Sequence, residues 1–276
     1  MFWYRDACHA DGEVPFDLAD RGLLLGDGLF ETMLVRDGIP HQAGRHLDRL
    51  MAGAATLAIA VERPVLQRAV TQLCAADAGA SRALRLTITR GTGPRGLLPH
   101  PECVPTVFAS TATWTPAMAF TPIRLVTSPI RRNASSPTSR LKTLGYLDNI
   151  LALQDAKARG ADDAMLLSIT GAVACTSAAN LFAVRHDRLL TPPASDGILP
   201  GTMRALVLDL AATLGILAEE RSVGPDDLLL ADAVFATNSL RLLMPVTAID
   251  GTPIPTATSP VYAALASALR HSLDQH

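Results

Sequence analysis

Lysine is almost missing from this sequence: of 24 basic residues 22 are arginine, and only Lys142 and Lys157 are lysine. Aromatic residues are scarce at 4%, so the core must be built from Ala, Leu and Val. No run approaches the ~20 apolar residues of a membrane span. The opening Met1-Phe2-Trp3-Tyr4-Arg5-Asp6 has no basic region followed by an apolar stretch, and a cytoplasmic protein without a membrane partner is the expectation. Cys8, Cys74, Cys103 and Cys175 lie far apart with no CxxC, which argues against a metal knuckle or a disulfide framework. His41 and His46 are five apart and Cys8 adjoins His9, so neither pair has the spacing of a metal site. A net charge of -2 with scattered arginines forms no basic stripe, which leaves nucleic-acid binding unsupported.

What is present is a chain of 276 residues, 49% hydrophobic and 18% charged, long enough for a large core and two domains. Composition shifts at Trp114-Thr115-Pro116-Ala117-Met118, which predicts an N-terminal α/β domain over 1–117 and a second domain over 118–276. An edge strand is expected over 2–9, then the loop Asp11 to Pro15. The stretch Gly28 to Arg36 alternates as a strand and ends on Asp37-Gly38, a hairpin signal. Three glycines, at 22, 26 and 28, suggest a backbone that something approaches closely, or plain turn punctuation. Leu47, Leu50, Met51, Ala54 and Leu57 recur at helical spacing. Arg49 falls close to that apolar stripe and needs an anionic partner, a carboxylate of the protein or a phosphate. A helix over 64–77 and strands over 82–90 and 105–112 follow, with a Gly-rich loop offering Arg95 between the two strands. The second half is expected to hold a strand over 122–128 and a loop from Pro129 to Pro137. A helix over 146–159 has Leu147, Ile150, Leu151 and Gln154 along one side. Alternating runs over 164–169, 173–184 and 188–190 precede a Gly-initiated helix with Met203, Leu206, Val207, Leu210 and Leu214 on one face. Strands over 217–222, 233–237 and 243–249 and a C-terminal helix from 259 close the chain.

The two lysines are not equivalent. Lys157 sits in the charged tail of a helical run, as a solvated side chain near a helix C-terminus. Lys142 is flanked by Leu141 and Leu144 just before a helix. A partly desolvated ammonium has a lowered pKa, and its neutral amine can attack a carbonyl, which makes Lys142 a candidate Schiff-base nucleophile. Taken alone, the stretch fits a lysine snorkelling at an element boundary better.

The motifs in order resemble the class IV, or fold type IV, family of pyridoxal phosphate (PLP) enzymes: branched-chain aminotransferases, D-amino-acid aminotransferases and aminodeoxychorismate lyases. Asp20-Arg21-Gly22 through Gly26-Asp27-Gly28-Leu29-Phe30-Glu31-Thr32 resembles the first motif and His46-Leu47-Asp48-Arg49-Leu50 the HLxRL helix. Ser139 to Asn149 resembles the Schiff-base segment, Gly171 to Phe182 the strand pair behind the pyridine ring, and Ile198 to Arg204 the phosphate-binding helix start. The resemblance implies an N-terminal α/β sandwich, a C-terminal pseudo-barrel, a homodimer and pyridoxal 5'-phosphate as cofactor. It implies Lys142 as the catalytic aldimine lysine, Arg49 as phosphate ligand, and Thr202 and Met203 as backbone donors to that phosphate. Asn238 and Ser239 would extend the phosphate cradle or substrate rim, and Phe30 and Arg95 would meet a small-molecule amino substrate. For Arg95 a plain surface-loop arginine is as good a reading.

One position departs from the family pattern. Where the family pairs a glutamate with the pyridine nitrogen, this sequence has Cys175, and no acidic residue lies between Asp163 and Asp187. A thiol is a weak partner for that nitrogen, so transamination should suffer more than a lyase reaction whose product is aromatic. Arg90-Gly91-Thr92-Gly93-Pro94-Arg95-Gly96 and Gly201-Thr202-Met203-Arg204 resemble the aminodeoxychorismate lyases of the family. The expectation is therefore a lyase releasing 4-aminobenzoate and pyruvate for folate synthesis. A D-amino-acid or branched-chain transaminase is the alternative, and a non-catalytic relative marked by Cys175 is the rival of another class.

Overall fold

Alternation along the first third of the chain builds one sheet. The computed structural model describes residues 1–10, 12–77, 79 and 81–274; Asp11, in the loop expected after the first strand, lies outside them. The chain forms two compact units, Met1–Thr115 joined by Leu141–Gly145, and Pro116–Arg140 joined by the residues from Tyr146 onward. The segment carrying Lys142 thus belongs to the first unit, although the composition shift assigns everything after 117 to the second.

In the first unit β1 (Phe2–Tyr4), β2 (Ala7–His9), β3 (Gly28–Arg36), β4 (Ile39–Pro40), β5 (Arg82–Thr89) and β6 (Thr106–Thr113) form an antiparallel sheet in the order β2-β1-β6-β5-β3-β4. Instead of one edge strand, residues 2–9 make a hairpin whose corner, Arg5-Asp6, has positive φ at both residues (49° and 60°). That is the primed-turn geometry that matches strand twist, built without the Asn-Gly or Asp-Gly pair that usually announces it. A short helix α1 (Arg21–Leu25) was not foreseen either. Asp20 caps it by accepting from the Gly22 N–H, and Gly26 ends it in the left-handed conformation. Two longer helices, α2 (Ala43–Thr56) and α3 (Arg63–Ala76), pack on one face of the sheet. Leu47, Leu50 and Ala54 from α2 and Leu66, Ala69, Val70 and Leu73 from α3 meet Leu29, Met33, Leu84, Leu86 and Ile88, which alternate along β3 and β5 as a half-buried sheet requires. Met51 and Leu57, expected on the same stripe, are only partly buried.

The second unit starts with β7 (Ile123–Arg132), which runs through Pro129 where a loop was expected. Pro129 is tolerated because the pairing with the next strand shifts register between Thr127 and Arg131, so its missing N–H breaks no ladder. Then come α4 (Leu147–Ala158), β8 (Asp163–Ser168), β9 (Val173–Thr176), β10 (Asn180–Arg185), β11 (Arg188–Thr191), α5 (Thr202–Thr213), β12 (Ala218–Glu220), α6 (Pro225–Leu229), β13 (Ala233–Asn238), β14 (Leu242–Ile249), β15 (Thr252–Pro253) and α7 (Pro260–Asp274). Strands β10-β13-β14-β7-β8-β9 run side by side, and β9 pairs back onto β10 through Cys175 and Asn180, which closes them into a barrel. Closure removes the sheet edges, and Ile123, Leu125, Met165, Leu181, Val234 and Met244 fill its core. Phe182 and Phe235, partners across β10 and β13, stack with centroids 5.1 Å apart. On α4 the leucine side faces away: Leu147 is 73% exposed, and the helix packs instead through Ala152 and Ala156 against Val126, Ala164 and Leu166. Small residues let its backbone come close to the barrel, a signal that hydrophobicity alone hides. Leu214 of the expected α5 face is likewise exposed, while Met203, Leu206 and Val207 are buried. No helix among the described residues is long and apolar enough to cross a membrane.

Candidate active site

Lys142 is held by strand-like pairing of its own segment. The Phe30 N–H donates to the Lys142 carbonyl at 2.9 Å and the Leu144 N–H donates to the Gly28 carbonyl at 3.1 Å, so Leu141–Gly145 lies along the start of β3. Gly28 permits this: a Cβ there would lie 2.4 Å from the Ile88 carbonyl oxygen and 2.8 Å from the Leu144 side chain. Leu141 packs against the first unit's core and anchors the segment. The Lys142 ammonium stands 4.3 Å from the centre of the Phe30 ring, and the Arg85 guanidinium stands 3.5 Å from the same centre.

Beneath Phe30, on the helix-facing side of β3, Glu31 is fully buried. Its carboxylate accepts from Arg49 Nε at 2.7 Å, from Arg49 Nη2 at 2.6 Å and from His46 Nδ1 at 2.6 Å. His46 and Arg49 are one helical turn apart on α2, which brings both to one carboxylate. The anionic partner that Arg49 required is therefore a protein carboxylate. Burial alone would raise the Glu31 pKa, but the hydrogen bonds of His46 and Arg49 and the Arg49 charge hold it below the usual carboxylate range. Burial pushes His46 down in spite of Glu31, which makes it a neutral ring donating through Nδ1. Burial, with Arg49 and Arg85 adding to it and Glu31 opposing, brings the Lys142 amine from 10.5 down to about 8. Such an amine is partly neutral near physiological pH and can act as nucleophile or base.

The opposite face of the same sheet lines a cavity of about 330 Å³, formed by Phe16, Gly22, Leu23, Arg85, Thr87, Thr89, Phe108 and Leu144. The Thr87 hydroxyl is buried with no hydrogen-bond partner. Arg85 and Thr87 went unnoticed in the sequence, although they alternate with Leu84, Leu86 and Ile88 and so had to face away from the helices. Arg95 is exposed in the loop after β5. Arg21 steadies that loop by donating to the Gly96 and Leu97 carbonyls at 2.7 and 2.8 Å, and is itself tied to Asp27.

In the second unit, α5 begins at Gly201 with no side chain to cap it and no acidic residue in its first turn. Thr202 and Met203 are buried there, and the Thr202 and Ser239 hydroxyls are 3.4 Å apart. Asn180 donates to the Leu199 carbonyl at 2.9 Å, and its other amide atom lies 2.1 Å from where a Cβ on Gly201 would fall. Only glycine lets the helix start beside that amide. Asn238 uses its carboxamide on its own turn, accepting from the Leu240 and Arg241 N–H groups at 3.1 and 2.8 Å, and so sets Ser239 in place. A helix start with a positive dipole end, two hydroxyls and no carboxylate fits a phosphate dianion. Cys175 is buried at the barrel closure among Val126, Ala164, Leu166 and Ala174; burial pushes its thiol up to about 11, so it remains uncharged at neutral pH.

Residues 28–249 match the family model described as amino-transferase class IV. The chain is 34% identical over 244 residues to a provisionally named branched-chain-amino-acid aminotransferase of Methanocaldococcus jannaschii, covering 87% of this chain and 84% of that protein. It is 29% identical to the D-alanine aminotransferase of Bacillus licheniformis, covering 95% and 93% of the two. The crystal structure of 4-amino-4-deoxychorismate lyase from Pseudomonas aeruginosa superposes with a TM-score of 0.90 at 31% identity, covering 99% of this chain and all of that one.

Proposed function

Since the chain belongs to the class IV aminotransferase family, whose cofactor is pyridoxal 5'-phosphate, we propose that it is a lyase that converts 4-amino-4-deoxychorismate to 4-aminobenzoate and pyruvate. The observation that carries this reading is Cys175, a buried, uncharged thiol where the family resemblance implies a carboxylate. When bound, the cofactor supplies an aldehyde that captures an amine and a ring that withdraws electrons from the substrate carbon. A thiol in place of a carboxylate would support that electron withdrawal weakly, and a substrate whose product is aromatic would depend on it least.

Lys142 is the amine that receives the cofactor, and a base with a pKa of about 8 can take the proton from the substrate carbon and return one to the departing group. Arg49, the Thr202 and Met203 N–H groups and the Ser239 hydroxyl are the proposed phosphate ligands, with Asn238 orienting Ser239. The Phe30 ring packs 4.3 Å from the Lys142 amine and adds to its desolvation. Arg95 and Arg85 are the groups proposed to hold substrate carboxylates, and the Thr87 hydroxyl is a further donor within the cavity. A homodimer and a cytoplasmic setting for folate synthesis accompany the proposal.

The test is a comparison of wild-type protein with Cys175→Glu on both reactions. Wild type should release pyruvate from aminodeoxychorismate without an added keto acid, and Cys175→Glu should raise the rate at which amino acids convert the bound cofactor to its pyridoxamine form. Pyridoxamine formation by wild type without pyruvate release would replace the lyase with a transaminase, and no response to Cys175→Glu would remove the account of that position.

A further inference from the structure

Across the sheet of the first unit, Phe30 on β3 pairs with Thr87 on β5, and Thr87 pairs with Phe108 on β6, so the three side chains share the face turned away from the helices. Thr87 is 2% exposed and lines the cavity on that face, and its hydroxyl has no hydrogen-bond partner among the described residues. The next hydroxyl along β5 is engaged: Thr89 donates to Asp20 at 2.7 Å and accepts from the Gly91 N–H at 3.0 Å. A buried donor without a partner destabilises the free protein, and a valine would pack there without that penalty, so the hydroxyl calls for a group that enters the cavity. Phe16 and Phe108 meet edge to face with centroids 5.8 Å apart, and Leu23 and Leu144 make the rest of the lining largely apolar. Phe30 and Phe108 stand two strand spacings apart, about 10 Å, with Thr87 between them.

A flat ring with a hydrogen-bond acceptor at one end fits such a slot, and the positive charge of Arg85 in the same lining favours an anionic acceptor. The Lys142 amine is 4.3 Å from the Phe30 ring centre, so an amine site and an acceptor site border one phenyl ring. An α-amino acid carries amine and carboxylate on one carbon, whereas a para-substituted ring sets them at opposite ends. We propose that this cavity holds the carbocyclic ring of the substrate, and the 4-aminobenzoate made from it, with the Thr87 hydroxyl donating to the ring carboxylate. Thr87 thereby selects ring-bearing amines over small aliphatic ones. The identity of the ring rests on the lyase reading; the presence of a ring site rests on the cavity and its hydroxyl.

The experiment titrates holoenzyme with 4-aminobenzoate by calorimetry and, separately, with D-alanine, which has an amine and a carboxylate but no ring, by cofactor absorbance. Thr87→Val keeps the shape and removes the donor. It should weaken 4-aminobenzoate binding about tenfold, raise the KM for aminodeoxychorismate about as much with kcat within about twofold, and leave the D-alanine response unchanged. Thr87→Ser, which keeps a hydroxyl, should bind 4-aminobenzoate within about threefold of wild type. Thr87→Val should also unfold at no lower temperature than wild type, because it loses an unpartnered group; a lower temperature would show the hydroxyl already paired and overturn the proposal. Equal losses for both ligands, no loss for either, or a Thr87→Ser protein as weak as Thr87→Val would overturn it too. If wild type binds 4-aminobenzoate in a Thr87-dependent way but releases no pyruvate, the lyase reading fails and the ring site stands. If it releases pyruvate with a KM that Thr87→Val does not move, the ring site fails and the lyase reading stands.

Discussion

At Lys142 the sequence and the structure meet most directly. Rarity singled the residue out, and its flanking leucines suggested desolvation; the structure adds Phe30 at 4.3 Å and a pKa of about 8. A lysine whose amine titrates lower in the folded chain than in the unfolded one holds fewer protons when folded, between about 8 and 10.5. Stability of the apoprotein should therefore rise with pH across that window. Lys142→Met removes the poorly solvated charge. Denaturant unfolding should show it more stable than wild type at pH 7, by on the order of 1 kcal/mol, with a flatter slope from pH 8 to 10.5. A less stable Lys142→Met protein at pH 7 would contradict the account of a desolvated amine. Arg49 was legible as an arginine in need of an anion, but Glu31 was not identified as that anion. Its inward place follows from the alternation of β3, whereas its meeting with α2 depends on how helix and sheet pack, which no local pattern encodes.

Among the elements, the start of α5 depends on one contact. A Cβ on Gly201 would fall 2.1 Å from the Asn180 amide, which in turn donates to the Leu199 carbonyl. Gly201→Ala should shift this turn, cost about 1–3 kcal/mol of stability and weaken cofactor binding. Truncating the amide as well, in Gly201→Ala/Asn180→Ala, should cost less than the sum of the two single changes, as read by thermal unfolding of all four proteins. Additive losses would show that the two side chains do not compete for that space. The glycine was visible in the sequence as a helix opening; the amide that requires it, 21 residues earlier, was not. The same limit applies to α4, where Leu147, Ile150 and Leu151 draw the eye while Ala152 and Ala156 make the contact. Helical spacing tells which residues share a face and says little about which face meets the sheet when the buried one is made of alanine.

For the whole molecule, motif order along the chain carried the family, and the barrel closed by Cys175 and Asn180 agrees with it. The reaction is harder to read, because relatives named for transamination and for lyase chemistry share this fold. The proposed lyase reading rests on a single buried thiol, Cys175. The division into units was also only partly legible: the composition shift at Trp114–Met118 sets a boundary after residue 117, close to the break after Thr115, but the return of Leu141–Gly145 to the first sheet rests on its pairing with Gly28 and Phe30. The central claim is that Lys142 receives the cofactor, and the near absence of lysine makes it directly testable. Borohydride reduction of the protein mixed with pyridoxal 5'-phosphate, followed by peptide mapping by mass spectrometry, should place the modification on Lys142 and leave Lys157 untouched. Modification of Lys157 or the N-terminal amine, with Lys142 unmodified, would contradict it.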